Sequence, residues 1–290
     1  MRLLDRHRSL LWMIRSHGGS ISRLRLVKLM FLLREEVRDS TVKLYDFVPY
    51  HYGPFSFTLY RDVGVLVNEG LLHETTPRTW TISQGCIVDE TQPKLAIKRA
   101  VEAVADRFSS CTTSELLSLI YNAYPWYASR SRSIAPGGSP DSSREPTILT
   151  AGLAGESVDS WIERLLRNQV QVVIDVRFNP VSRTYGFHKT RLRHLLSRVG
   201  IRYEHRPELG IDSSTRARFP SQHDRRALLD DYESELRRDK SVAIGELATQ
   251  MKILPSVLVC QERDPEECHR SRLAEAVSEI AELPVEHLVE

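Results

Sequence analysis

The sequence predicts an α/β protein with a C-terminal, largely parallel sheet flanked by helices, preceded by a mostly helical, winged-helix-like domain. Three observations carry this. From residue 147 onward, short apolar runs rich in β-branched residues, such as 170–176 and 257–259, alternate with amphipathic helical stretches. That alternation of strand and crossover helix is what a parallel sheet requires. Over residues 1–128 it is absent, and helical stretches lead into one short hairpin. Between the two, residues 129–146 are dominated by Ser, Pro and Gly and nearly lack large apolar side chains. Such a segment cannot bury enough surface to order itself and reads as a flexible linker.

The elements follow in order. Leu3, Leu4, Leu10, Leu11 and Ile14 mark a first helix that Gly18-Gly19 breaks. Ser20 can cap a second helix reaching about Arg38, with Leu24, Val27, Met30, Phe31 and Leu33 on a broad apolar face. Arg23, Arg25, Lys28 and Arg34 are then left for its surface. The turn Tyr50-His51-Tyr52-Gly53-Pro54-Phe55-Ser56 leads into a helix over 57–68, and residues 70–74 and 79–82 alternate like a hairpin. Helical runs follow over about 93–108 and 113–121. In the second domain, residues 147–152 form a strand, Ser157 or Asp159 caps a helix bearing Trp161, Ile162, Leu165 and Leu166, and 170–176 is a buried strand. A helix with Leu192, Leu195, Leu196 and Val199 stops at Gly200. After it come a strand over 201–205, a loop over 207–210, a polar helix around Leu228, Leu229, Tyr232 and Leu236, the strand at Val257, a helix after Asp264 and a last strand over about 285–288.

Composition excludes several classes. The 290 residues suffice for two domains, and 41% hydrophobic with 27% charged residues is ordinary for a globular protein. The charged start, Met1-Arg2-Leu3-Leu4-Asp5-Arg6-His7-Arg8, does not suit a secretory signal, and no apolar run approaches the ~18 residues of a membrane span. A cytoplasmic protein without a membrane partner is expected. Cys86, Cys111, Cys260 and Cys268 are too few and scattered for a disulfide framework. Residues 1–45 carry ten Lys and Arg against four acids, whereas 147–290 carry 21 against 23. The basic N-terminal region is compatible with phosphate contacts, through Arg23, Arg25 and Lys28 among others.

The stretch from Val257 to Arg270 concentrates chemistry. Its strand ends in Cys260 and Glu262, and Asp264-Pro265-Glu266-Glu267 reads as a capped helix start whose first turns carry Cys268, His269 and Arg270. In open α/β sheets this carboxyl edge is where ligands bind. Cys260, fed from an apolar strand, reads as packed; Cys268, near a helix N-terminus and beside His269 and Arg270, has surroundings that lower a thiol pKa. No metal is expected, because seven residues separate the two cysteines and His269 is the one close further ligand. Which cofactor, if any, is used is unknown from the sequence.

Two resemblances add to this. Lys28-Leu29-Met30-Phe31-Leu32-Leu33, Tyr52-Gly53-Pro54-Phe55-Ser56 and Glu69-Gly70-Leu71-Leu72 resemble the Panacea antitoxin-like domain over about residues 1–125, whose members are often adaptors or antitoxins that contact proteins. Residues 147–290 resemble the domain of unknown function 488 family. The matching motifs are Asp175-Val176-Arg177 with Pro180 and Ser182-Arg183; Gly186-Phe187 with Lys189 and Leu192; Gly200-Ile201 with Tyr203 and His205; Leu209-Gly210; and Cys260 with Glu262, Pro265 and Cys268-His269-Arg270. One departure is Leu153, where the family usually carries a polar or aromatic side chain reaching the pocket.

The resemblance and the strand ends together give candidate catalytic residues Asp175, Arg177, Glu262, Cys268, His269 and Arg270 and ligand-binding residues Arg183, Phe187, Tyr203, His205 and Cys260. Arg177, Arg183 and Arg270 offer forked donors for a phosphate or carboxylate, the alternative being that Asp175 holds one of them in a buried structural ion pair. The expected function is an enzyme, of hydrolase or glycosidase type, acting on nucleic acid, a nucleotide or a related phosphorylated ligand in the C-terminal cleft. Asp175 or Glu262 would be its general base, and the N-terminal domain would bind DNA or a partner protein. A non-catalytic sensor or adaptor, responding to a small anion or to redox through Cys260 and Cys268, is the alternative, and thiol chemistry at Cys268 resembling sulfur transfer is a third.

Overall fold

A computed structural model describes residues 2–37, 42–84, 92–132, 145–212, 214–215 and 222–289. The chain divides into two compact units, Met1–Asp141 and Ser142–Glu290. The central part of the expected linker, 133–144, and Cys86 lie outside the described residues.

The first unit runs α1 (Asp5–Arg15), β1 (Ser20–Ser22), α2 (Arg23–Glu36), β2 (Val48–Tyr50), β3 (Gly53–Phe55), α3 (Phe57–Asn68), β4 (Leu72–Thr76), β5 (Thr79–Ile82), α4 (Leu95–Arg107), α5 (Thr113–Ala123) and a short α6 (Pro125–Ala128). It is mostly helical, with a three-stranded antiparallel sheet in the order β1-β5-β4 and a small β2-β3 ribbon. The second helix starts later than its sequence suggests. Ser20 is not a cap but pairs with Thr81 in the sheet, and Ser22 caps α2 by accepting from the Arg25 N–H.

Every residue of α2 from Leu26 to Leu33 is buried, so the helix is enclosed on all sides. Lys28 is therefore not a surface residue: its Nζ donates to the Pro54 carbonyl at 2.7 Å inside the core. Arg25 spends its guanidinium on the Cys111 and Phe108 carbonyls, and Arg23 pairs with Glu74 over the Trp80 ring. All three expected phosphate contacts are thus committed within the unit. Of the turn aromatics, Tyr50 is buried in a cluster with Phe55 and Phe57, whereas Tyr52 is exposed.

Burial lowers the Lys28 pKa to about 7 from its ordinary 10.5. Between these values the unfolded chain holds a proton that the folded chain lacks, so this group makes stability rise with pH across about 7–10.5 and adds no slope below. Lys28→Met is expected to flatten that rise. Denaturant unfolding of both proteins across the window checks it, and a stability difference that does not change with pH contradicts it.

The second unit runs β6 (Ile148–Gly152), α7 (Val158–Arg167), β7 (Val172–Asp175), α8 (Lys189–Arg198), β8 (Arg202–His205), a 3₁₀ turn (Pro207–Leu209), α9 (Gln222–Asp239), α10 (Ser241–Ile253), β9 (Ser256–Cys260), α11 (His269–Ala281) and β10 (Val285–Leu288). All five strands are parallel, in the order β10-β6-β9-β7-β8. Ile148, Val172, Ile174, Leu258 and Cys260 face one way and pack with Leu236, Ile244, Leu247, Leu273 and Val277 of α9, α10 and α11. Their neighbours Leu149, Ala151, Val173, Val257 and Val259 point the other way and are equally buried, which requires a second layer. Helices α7 and α8 supply it, as right-handed crossovers demand: β6 to β7 to β8 moves across the sheet in one direction, and β8 to β9 returns.

Two elements differ from the sequence reading. Helix α10 has no counterpart there, although Ile244, Leu247, Ala248 and Met251 follow the i, i+3, i+4, i+7 pattern and are all buried. The last long helix begins at His269 with Cys268 as its extended N-cap, not at Asp264. Asp264 instead closes a turn by accepting from the Glu266 N–H, and the Cys268 N–H reaches the Pro265 carbonyl. Among the described residues no helix is long and apolar enough to cross a membrane.

Candidate functional site

In a parallel sheet all carboxyl ends share one edge, and the register aligns them closely. Gly152 pairs with Cys260, and Asp175 lies between Val259 on one side and His205 on the other. The candidate residues converge at this edge, but as two separate arrangements and mostly below the surface.

The first is built on Asp175. Its Oδ1 accepts from the Arg177 backbone N–H (3.1 Å) and Nε (2.9 Å), and its Oδ2 from Arg177 Nη2 (2.5 Å) and the Tyr203 hydroxyl (2.7 Å). Arg177 Nη1 donates to the Phe187 carbonyl at 3.1 Å. Asp175 is 0% and Arg177 3% exposed, so neither the carboxylate nor the fork faces solvent. Burial works to lower the Arg177 pKa, but the Asp175 hydrogen bonds and charge outweigh it and the pKa is raised. Burial and the same carboxylate push the Tyr203 phenol up. This is the buried ion pair that the residues allowed, and it occupies both carboxylate oxygens of Asp175. The Phe187 ring, expected at a ligand, packs edge-on against Trp161, and only its carbonyl joins the arrangement. His205 Nε2 donates to the Arg177 carbonyl at 2.8 Å, which leaves Nδ1 to accept from Lys189 Nζ at 2.7 Å. Arg183 is exposed in the loop after β7.

The second arrangement gathers the opening stretch. Glu262 Oε2 accepts from Cys260 Sγ at 3.0 Å and from Cys268 Sγ at 3.1 Å. His269 Nδ1 lies 3.6 Å from Cys260 Sγ, while its Nε2 reaches the Val176 carbonyl at 3.2 Å. One ligating atom from each of Cys260, Glu262, Cys268 and His269 lies within 4.8 Å of all the others. Cys260, Cys268 and His269 are buried, and Glu262 is half-buried. The Tyr232 ring stands edge-on to the imidazole with centroids 5.2 Å apart. The expected low thiol pKa at Cys268 is overturned: burial, then the neighbouring Cys260, push it well up despite its place at a helix N-terminus. The turn brings in Glu262 and closes the seven-residue gap between the cysteines, so the local spacing did not show that four possible donors meet here.

Arg270 is 1% exposed and holds this turn rather than a ligand. Its Nη1 donates to the Glu262 carbonyl (2.6 Å), Nη2 to the Arg263 carbonyl (2.9 Å) and Nε to Thr150 Oγ1 (3.4 Å). Leu153, buried at 1%, packs in place of the pocket-reaching side chain.

Residues 157–277 match the family model described as Domain of unknown function DUF488. This stretch is a DUF488 domain, and both arrangements, from Asp175 to Arg270, lie inside it. Strands β6 and β10 complete its sheet from outside the matched residues. No curated protein and no solved structure matches the chain.

Sequence reasoning missed three partners of the DUF488 site. Thr150 and Tyr232 looked like strand and helix filler, and nothing in their local pattern marks them. Gly152 carries a readable signal, a glycine at a strand end where backbone must approach. A Cβ there would lie 2.2 Å from the Glu262 carbonyl oxygen and 2.9 Å from Arg263 Cα. Gly152→Ala must therefore push back the turn that carries Glu262, at a cost of about 1–3 kcal/mol. Urea unfolding of the variant reads this, and an unchanged midpoint contradicts the contact.

Proposed function

We propose that the DUF488 domain is the catalytic part of an enzyme acting on nucleic acid, a nucleotide or a related phosphorylated ligand, with residues 1–128 directing it to its target. The observation that carries the reading is a basic surface around the carboxyl ends of β7 and β8. Between Val181 and Arg193 the chain holds four Lys and Arg, namely Arg183, Lys189, Arg191 and Arg193, and no acid. Arg183, Arg191 and Arg193 are exposed there, and among the described residues none has a carboxylate partner; Arg191 and Arg193 lie over the Tyr185 and Tyr203 rings. Uncompensated guanidinium groups with aromatic faces favour phosphate and base contacts. Asp175 being saturated, the acid–base role falls to Glu262, the carboxylate of the cluster that reaches solvent.

The order helix, strand, helix, two-stranded ribbon, helix and hairpin in the first unit, with its β1-β5-β4 sheet, supports a winged-helix binding unit. Its likeness to the Panacea family rests on the Tyr52-Gly53-Pro54-Phe55-Ser56 turn and the two flanking motifs, and favours a protein partner as readily as DNA. Because Arg23, Arg25 and Lys28 are committed internally, any DNA contact must come from other residues.

Turnover of oligonucleotides and nucleotides by the full chain tests the reading. Glu262→Gln is expected to lower kcat by about 10²–10⁴-fold with little change in KM. The triple variant Arg183→Ala, Arg191→Ala, Arg193→Ala is expected to raise KM and to weaken the salt dependence of binding. Full activity of Glu262→Gln ends the proposal. The burial of both thiols on one carboxylate oxygen favours a second reading, a non-catalytic sensor, which predicts ligand or redox response and no turnover by the wild type.

A further inference from the structure

The DUF488 cluster has features that hydrogen bonding alone does not explain. Two thiols and an imidazole, all buried, converge from a strand end and a helix start onto one point. The imidazole is oriented from behind. A carbonyl can only accept, so His269 Nε2 carries its proton toward Val176 O and Nδ1 is left with a free lone pair, 3.6 Å from Cys260 Sγ, which lies 3.8 Å from Nε2. A backbone carbonyl fixing the far nitrogen is the outer-shell partner that metal-ligating histidines almost always have. The spacing also suits an ion. Tetrahedral ligands at about 2.0–2.3 Å from zinc stand about 3.3–3.8 Å apart, and Cys260 Sγ to His269 Nδ1 is 3.6 Å.

We propose that Cys260, Cys268 and His269 form a binding site for a zinc-class divalent cation, with Glu262 on the solvent side of the open fourth position. Both thiols lose their protons to solvent as the ion enters, two protons for each ion bound, and the two thiolates then balance its charge. Sulfur and imidazole donors select zinc over magnesium or calcium. Net neutrality suits a centre enclosed by Tyr232, Val176 and the apolar face of the sheet. Three protein donors with one open position are the pattern of catalytic rather than structural zinc. Glu262, relieved of both S–H donors, then faces a water in that position. That last step rests on the enzymatic reading above, whereas the metal site itself does not.

The test uses the reduced, chelator-treated full chain titrated with Zn(II) or Co(II) alone, without substrate, so it stands apart from any failure to find turnover. One equivalent is expected to bind, with thiolate-to-cobalt absorption and the visible bands of a tetrahedral ion. Cys260→Ser or Cys268→Ser is expected to lower affinity more than about tenfold, while Cys111→Ser in the other unit leaves it unchanged. Should either serine variant fail to fold, X-ray absorption of the zinc-loaded wild type decides, with two sulfur neighbours at about 2.3 Å expected. Binding well below one equivalent, fewer than two sulfur neighbours, or folded serine variants that bind like the wild type overturn the site. So does a Cys260–Cys268 disulfide in the oxidised protein whose reduced form takes up no metal.

Discussion

Asp175→Asn is expected to destabilise the DUF488 domain by about 3–5 kcal/mol, because it leaves the Arg177 guanidinium buried without its counter-charge. The loss is large because the pair is closed on itself. All four bonds to the carboxylate come from Arg177 and Tyr203, and no water-facing side remains to take over. Replacing both partners with apolar residues of similar volume, Asp175→Leu with Arg177→Met, is expected to recover much of the loss, since the desolvation cost of both charges disappears. Denaturant unfolding of the full chain, reading the transition of the C-terminal unit, distinguishes the two. If Asp175→Asn unfolds like the wild type, the pair is not the support of this edge.

The second large effect is at Arg270. Arg270→Ala removes a fully buried fork from two carbonyls and a hydroxyl, and is expected to cost about 3–5 kcal/mol. Arg270→Lys keeps the charge but cannot reach both the Glu262 and Arg263 carbonyls with one ammonium, so it should recover only part of the stability. The same unfolding measurement checks both variants. The turn between Gln261 and Cys268 should also loosen, which hydrogen exchange at Glu266 and Cys268, whose amides the turn occupies, would report. An Arg270→Ala protein as stable as the wild type, with unchanged exchange, would put the restraint of this turn elsewhere.

These two arginines mark where local reading misjudged role while finding the place. Their positions, at a strand end and in a helix's first turn, were legible because strands and helices announce themselves by period. Their availability was not, because whether a fork points at solvent or at a carbonyl depends on residues far along the chain. For Arg177 those are Phe187 and Tyr203, and for Arg270 Thr150. Cys268 shows the same effect in its ionisation. Its place at a helix N-terminus argues for a low pKa, but burial beside Cys260 is the larger influence and acts the other way.

By itself the sequence determined the parallel α/β architecture of the second unit, the mostly helical first unit and the edge of the sheet at which the polar residues meet. Hydrophobic period, caps and glycine stops are local properties, and the handedness of crossovers does the rest. Only the tertiary structure decided which groups are spent and which are left. It closed Asp175 on Arg177, buried Lys28 and turned Glu262 between two sulfurs. Burial and hydrogen-bond partners are set by segments tens of residues apart, and no local pattern encodes them.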